Sequence, residues 1–436
     1  MLMRRLLLLL SLLACAVSCT WQNAESSIVS VRNGQFIKNN EPYYFIGTNL
    51  WYGPILASEG SGGNRERLCA ELDSLKELGI SNLRVLAGGQ GDKLLPCKIQ
   101  PLMETAPGVF NDTLLRGLDY FLYELGKRDM EAVIYFNNSW EWSGGYSQYL
   151  TWAGFGEAPI PRIDGYNTFV SYVNNYMKSD SARSMVDNYI KTVVSRVNTI
   201  TGKPYSEDPA IFSWQICNEP RCFGKENKEA FARWIDHCAT LIKSIDPNHM
   251  VSIGSEGKYG CEVDIDLWRR LGELENIDYF NIHIWPFNWG WSSKDDLEGT
   301  LDRGIELSLK YFNEHKEIAA QVGKPLTLEE FGFPRNGVEF SPEVSVSLRD
   351  RYYKVMFDQI ISEAENDGIV AGCNFWAWGG TAVAAHLMWE PGDDYMGDPA
   401  QEEQGLYSVF LSDKSTISVI DNATERLESV RKNKKK

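Results

Sequence analysis

The sequence predicts an α/β protein folded as one (β/α)8 barrel. Three observations carry that expectation. Eight short apolar runs alternate with longer segments of helical period, the order expected of parallel strands joined by helices. The runs are apolar on both faces, as strands of a covered parallel sheet are. Polar and acidic residues gather just after the C-terminal ends of those runs, where such barrels keep their reacting groups. A doubly wound open sheet is the alternative. It is weakened by the lack of a phosphate-binding glycine fingerprint, since Gly88-Gly89-Gln90-Gly91 lacks the required spacing and reads as a loop.

In chain order, residues 1–18 read as an export signal of the lipoprotein type. Arg4 and Arg5 precede the apolar stretch Leu6–Leu13, too short to span a bilayer, and small residues lead to Cys19. Cys19 is the expected lipidation site, with Cys15 a competing one, and residues 19–30 form a polar leader. The barrel domain is expected over 31–436. Val31–Phe36 reads as a hairpin turning at Asn33-Gly34. The strands follow at Tyr43–Thr48, Asn82–Ala87, Glu131–Phe136, Ile211–Cys217, Met250–Gly254, Tyr279–Ile284, Pro325–Leu328 and Ala371–Trp376. Between them, Leu114 to Leu125, Met185 to Val197 and Leu348 to Ile360 repeat apolar residues at helical spacing. Asp208-Pro209, Asp246-Pro247 and Gly323-Lys324-Pro325 end helices just before strands.

Composition excludes several classes. A net charge of −16 repels phosphate backbones, so nucleic acid is not an expected partner. A hydrophobic fraction of 43% supplies a core and excludes disorder. The 14 Trp, 20 Tyr and 19 Phe include several beside Gly, Asn and Pro, which suits a groove lined by flat apolar faces. Seven cysteines lie beyond Cys15 and Cys19, an odd number that leaves at least one thiol unpaired. Their spacing suits no zinc site, and Asp393, Asp394 and Asp398 lack calcium-loop spacing, so no metal or cofactor is expected.

The fourth strand runs into Asn218-Glu219-Pro220-Arg221 and the seventh into Glu329-Glu330-Phe331-Gly332. Two carboxyl groups facing each other across a barrel mouth are what acetal hydrolysis needs, one donating a proton and the other attacking or activating water. Asn218-Glu219-Pro220 with Glu330-Phe331-Gly332 resembles glycoside hydrolase family 5. The form ending in Arg221, together with the stretch from Trp389 to Gln404-Gly405, is similar to its β-mannanase branch. The resemblance spans about Val31 to the last helix.

It implies that Glu219 is the general acid/base and Glu330 the nucleophile. Strand alternation is expected to send the rival Glu329 to the opposite face. It also implies that Arg84 keeps Glu330 ionised and that Asn218 bonds the sugar 2-OH. By the same resemblance Arg221 contacts the aglycone and Trp376 stacks beneath the reacting sugar. His283-Ile284-Trp285 matches the family's His-x-Tyr region with Trp285 in place of the tyrosine. Asn137, Trp140 and Trp142 are expected to extend the cleft, and Ser139–Asp180 to block one end of it if the enzyme works from chain ends. The function this implies is an exported, lipid-anchored, monomeric endo-β-1,4-mannanase, periplasmic or on a bacterial cell surface. It would cut mannan, glucomannan or galactomannan with retention of configuration. A β-glucanase, an exo-β-mannosidase and a non-catalytic glycan-binding lipoprotein are the rivals.

Overall fold

A computed structural model describes residues 28–95 and 97–434; residues 1–18, expected to be an export signal, and Cys19 lie outside them. Eight parallel strands form the barrel: β1 (Phe45–Asn49), β2 (Asn82–Leu86), β3 (Glu131–Tyr135), β4 (Ile211–Gln215), β5 (Met250–Ser252), β6 (Phe280–Ile284), β7 (Leu326–Phe331) and β8 (Val370–Phe375). All eight expected strands are present, shifted by a few residues at their ends. Their order is β5-β4-β3-β2-β1-β8-β7-β6. The seam between β5 and β6 is closed by side chains as well as backbone. Asn281 Oδ1 accepts from the Ile253 and Gly254 amides at 3.2 and 2.9 Å, and the Asp278 amide donates to the Val251 carbonyl at 2.8 Å.

Each strand leads to a covering helix: α1 (Arg65–Glu77), α2 (Asp112–Lys127), α3 (Asp180–Val194), α4 (Lys228–Ile245), α5 (Ile265–Gly272), α6 (Leu297–Val322), α7 (Ser347–Glu365) and α8 (Lys414–Lys434). Five of their starts are set by side-chain caps. Asn64, Asn111, Ser179, Asp264 and Asp296 each accept an amide of the first turn, satisfying donors that have no partner within the helix. The helical spacing from Met185 to Val197 overruns α3. The helix stops at Val194, and Val197 is exposed, bridged instead to Pro204.

The hairpin is present as Ser30–Arg32 paired with Gln35–Lys38, with positive φ at both Asn33 and Gly34 as a tight turn requires. It seals the barrel floor. Phe36 is fully buried, 5.0 Å from Phe212 and 5.1 Å from Tyr279 between ring centroids, and Phe45 closes on the same group. Val29, two residues before the expected start of the barrel domain, is also buried. At the opposite, C-terminal face two long connections rise over the mouth. The β3–α3 connection carries helical pieces at Gly145–Leu150, Pro161–Asp164 and Tyr166–Val173. The β8–α8 connection is pinned by Trp378–Gly380 pairing with Val409–Phe410.

Candidate active site

Beyond Gln215 the chain keeps its direction by bonding to both neighbours. Cys217 donates to the Ile253 carbonyl at 3.3 Å, Asn218 to the Asn137 carbonyl at 2.8 Å, and Glu219 to the Gly254 carbonyl at 2.9 Å. A side chain at Gly254 would stand 1.9 Å from the Cys217 carbonyl oxygen, so only glycine permits this approach. Glu219 itself sits at φ 47°, a left-handed conformation uncommon for a residue with a side chain and found repeatedly at functional sites.

Glu330 meets Arg84 across the barrel in direct contact with the guanidinium. Arg84 is wholly buried and spends its other donors on Gln215 (2.8 Å), Asn49 (3.2 Å) and Asn218 (2.8 Å). The alternation expected to separate Glu329 from Glu330 does not hold. The β6–β7 register slips by one residue, pairing Ile282 with Leu328 but His283 with Glu330, and the bulge turns both carboxylates inward. Glu329 occupies a deeper layer, accepting from Gln215 at 2.6 Å and Tyr279 at 3.2 Å, with Arg84 3.7 Å away. Glu330 lies on the upper layer, towards the mouth.

His283 Nδ1 lies between the two upper carboxylates, 2.8 Å from Glu219 Oε1 and 3.3 Å from Glu330 Oε2. The Trp140 indole N–H donates to Glu219 Oε2 at 2.6 Å. Trp285 and Trp376 meet edge to face at 6.0 Å, and Tyr407 packs on Trp285 at 5.0 Å. Gly332 makes room for this layer, since a Cβ there would come within 2.9 Å of Trp285 and 3.0 Å of Tyr407. Arg221 forms a two-bond pair with Glu256, at 2.5 and 2.6 Å, and lies over the Trp140 ring.

Arg84, Asn218, Glu219, His283 and Glu330 therefore form one cluster, with Trp140, Arg221, Trp285 and Trp376 around it. Asn137 is buried beneath; its carbonyl anchors Asn218, and its Nδ2 has no hydrogen-bond partner among the described residues. Trp142 turns away and packs against Trp51 at 5.9 Å, so it does not extend the cleft. Sequence reasoning missed Glu256 and Tyr407, whose link to the site is tertiary. The position of Glu256 just past strand five was the available hint.

Burial pushes the carboxyls of Glu219 and Glu330 upward. For Glu219, Arg221 and the Trp140 indole oppose this; for Glu330, Arg84 opposes it while the Glu219 charge adds to it. Two like charges this close disfavour each other's ionisation, so the two carboxyls titrate as a pair. Arg84 touches Glu330, whereas the hydrogen-bond partners of Glu219 are the indoles of Trp140 and Trp285 and an imidazole that burial keeps neutral. Oxygen and nitrogen atoms of Glu219, His283 and Glu330 all lie within 4.8 Å of one another, the one three-residue group among the described residues with metal-ligand spacing. Arg84 already supplies the positive charge that faces Glu330.

The family model for β-mannosidase-like proteins of glycoside hydrolase family 5 matches residues 26–432. The chain belongs to glycoside hydrolase family 5. Among its relatives is a putative mannan endo-1,4-β-mannosidase 9 of Oryza sativa subsp. japonica, 29% identical over 86% of this chain and 89% of that one. Mannan endo-1,4-β-mannosidase 1 of Arabidopsis thaliana is 28% identical over 79% and 80%. The crystal structure of a family 5 mannosidase from Rhizomucor miehei superposes with a TM-score of 0.86 at 35% identity, covering 94% of this chain and all of the other. An endo-β-1,4-mannanase from Thermotoga petrophila shares the fold, at 22% identity and a TM-score of 0.65. This family 5 enzyme is thus a (β/α)8 barrel glycoside hydrolase of the mannanase and mannosidase group.

Proposed function

We propose that this family 5 enzyme hydrolyses β-1,4-mannosidic bonds with retention of configuration, Glu219 serving as acid/base and Glu330 as nucleophile. The observation that supports this most is the carboxylate spacing. One oxygen of each group lies within 4.8 Å of one on the other, a closeness that suits the roughly 5–5.5 Å carboxyl separation of retaining enzymes better than the roughly 6.5–9.5 Å that leaves room for an inverting water. Glu330 attacks the anomeric carbon as Glu219 gives its proton to the departing glycosidic oxygen, whose C–O bond breaks. Glu219, now a carboxylate, then takes a proton from the water that cleaves the glycosyl–Glu330 ester. Arg84 keeps the nucleophile charged, and Asn218 keeps one amide proton free for the sugar 2-OH, its other bonds going to Arg84 and Asn138. Trp376 offers a ring face to the apolar side of the sugar.

Mannan, glucomannan or galactomannan is the proposed substrate, in keeping with the names of the plant relatives, and the same names support internal cleavage. A second reading, trimming of chain ends, is favoured by the greater likeness to the Rhizomucor mannosidase than to the Thermotoga endo-enzyme. The wall beside Glu219, where Trp140 packs on Phe169 at 6.2 Å and meets Tyr166 at 6.4 Å, also favours it. Digests of linear mannan and of a β-glucan, with Glu330→Ala alongside, decide. A ladder of manno-oligosaccharides supports internal cleavage, mannose alone supports end trimming, and release from β-glucan alone overturns the substrate. Export and a lipid at Cys19 are proposed from the sequence of residues 1–19; a Cys19→Ala form that still fractionates with membranes overturns the anchor.

A further inference from the structure

Trp140 is held from every side. Phe169 stacks at 6.2 Å, Phe223 and Tyr166 meet it edge-on at 5.9 and 6.4 Å, and the Arg221 guanidinium sits 5.0 Å from its ring centroid. Arg221 is in turn fixed by both oxygens of the buried Glu256, whose backbone carbonyl accepts the Tyr311 hydroxyl at 2.7 Å. The outcome of this packing is one short hydrogen bond, indole N–H to Glu219 Oε2 at 2.6 Å. An indole nitrogen only donates, so it cannot take the acid's proton; it bonds the oxygen as an acceptor.

We propose that Trp140 is a positioning residue for the acid step, clamped by Arg221 and Glu256, and that its N–H stabilises the carboxylate Glu219 becomes as its proton leaves. This rests on the reading of Glu219 as the acid. The bond is made to a neutral carboxyl at the start and to an anion at the end of proton transfer, so it strengthens along the reaction. Only interactions that strengthen in that way accelerate the step. The clamp matters because the aromatic ring must keep its N–H on Oε2 while a sugar enters beside it.

The test uses two substrates that differ only in the need for a proton. Phenyl β-mannoside must be protonated as it departs; 2,4-dinitrophenyl β-mannoside leaves unaided. kcat/KM, which reports the glycosylation step, is measured for the wild type, Trp140→Phe, Glu256→Gln and Glu219→Gln. Trp140→Phe should lower the phenyl-to-dinitrophenyl ratio by about 10- to 100-fold, the worth of one hydrogen bond to a charged group. Glu256→Gln should move it in the same direction by about three- to tenfold, since it loosens the clamp while retaining one bond to Arg221. Equal losses on both substrates would make Trp140 a packing residue and overturn the proposal. If Trp140→Phe misfolds, as near-UV circular dichroism would show, Glu256→Gln carries the test alone. An unchanged ratio in Glu219→Gln would instead overturn the reading of Glu219. A changed ratio there, with none in Trp140→Phe or Glu256→Gln, would overturn only the positioning role.

Discussion

Replacing Arg84 with methionine keeps an unbranched side chain in the barrel but removes the charge that two buried glutamates share. Arg84 touches Glu330, bonds Gln215, Asn49 and Asn218, and lies 3.7 Å from Glu329. Removing one partner of a buried ion pair leaves the other uncompensated, at a cost of about 3–5 kcal/mol. For a chain of this size that corresponds to a midpoint roughly 4–6 °C lower. The cost depends on pH, with a definite sign. Burial already holds the Glu330 carboxyl well above its ordinary value, with Arg84 opposing, so losing Arg84 lifts it further. A carboxyl raised in the folded state binds its proton more tightly folded than unfolded. Its penalty is absent below the unfolded value, grows as pH rises, and is complete above the folded value. The gap between Arg84→Met and wild type should therefore be widest at pH 8 and narrow towards pH 5. Thermal unfolding followed by circular dichroism at the two pH values measures it. A gap equal at both, or wider at pH 5, would refute the claim that Arg84 holds the charge on Glu330.

Three further outcomes follow from the same structure. Glu330→Ala supplied with azide and an activated aryl β-mannoside should yield the α-mannosyl azide and Glu219→Ala the β-mannosyl azide, each identified by proton NMR; the reverse assignment would exchange the two roles. Phe36→Ala should lower stability in urea by about 3–5 kcal/mol while leaving kcat near wild type, because the floor lies at the opposite end of the barrel from Glu219 and Glu330. In native protein beginning after Cys19, a thiol reagent should reach only the half-buried Cys69 and Cys97 and leave Cys217, Cys222, Cys238, Cys261 and Cys373 unmodified until denaturant is added.

The strands were legible because each is short, apolar on both faces and bounded by residues that cannot continue it; Gly323 in the left-handed region just before Pro325 is one case. Glu219 and Glu330 were legible for a local reason, since each ends a run of strand pattern beside a residue of special geometry, Pro220 or Gly332. What escaped depends on contacts far apart in sequence. The slip that turns Glu329 inward is a property of how β6 pairs with β7, and alternation within one strand predicts the opposite. The helical pattern running on to Val197 was indistinguishable from a longer helix until Pro204 was seen to pair with it. Trp140 and Trp142 look alike in sequence, yet one reaches Glu219, 79 residues away, and the other packs on Trp51. The Arg221–Glu256 pair likewise joins the ends of two neighbouring strands and leaves no trace in spacing.

The most direct test of the double displacement is the configuration of the first product. Proton NMR of a manno-oligosaccharide digest, recorded before mutarotation equilibrates the sugar, should show the β-anomer of the newly formed reducing end first, with the α-anomer growing in later. An α-anomer appearing first would mean inversion by a single displacement, and would remove Glu330 from the role of nucleophile.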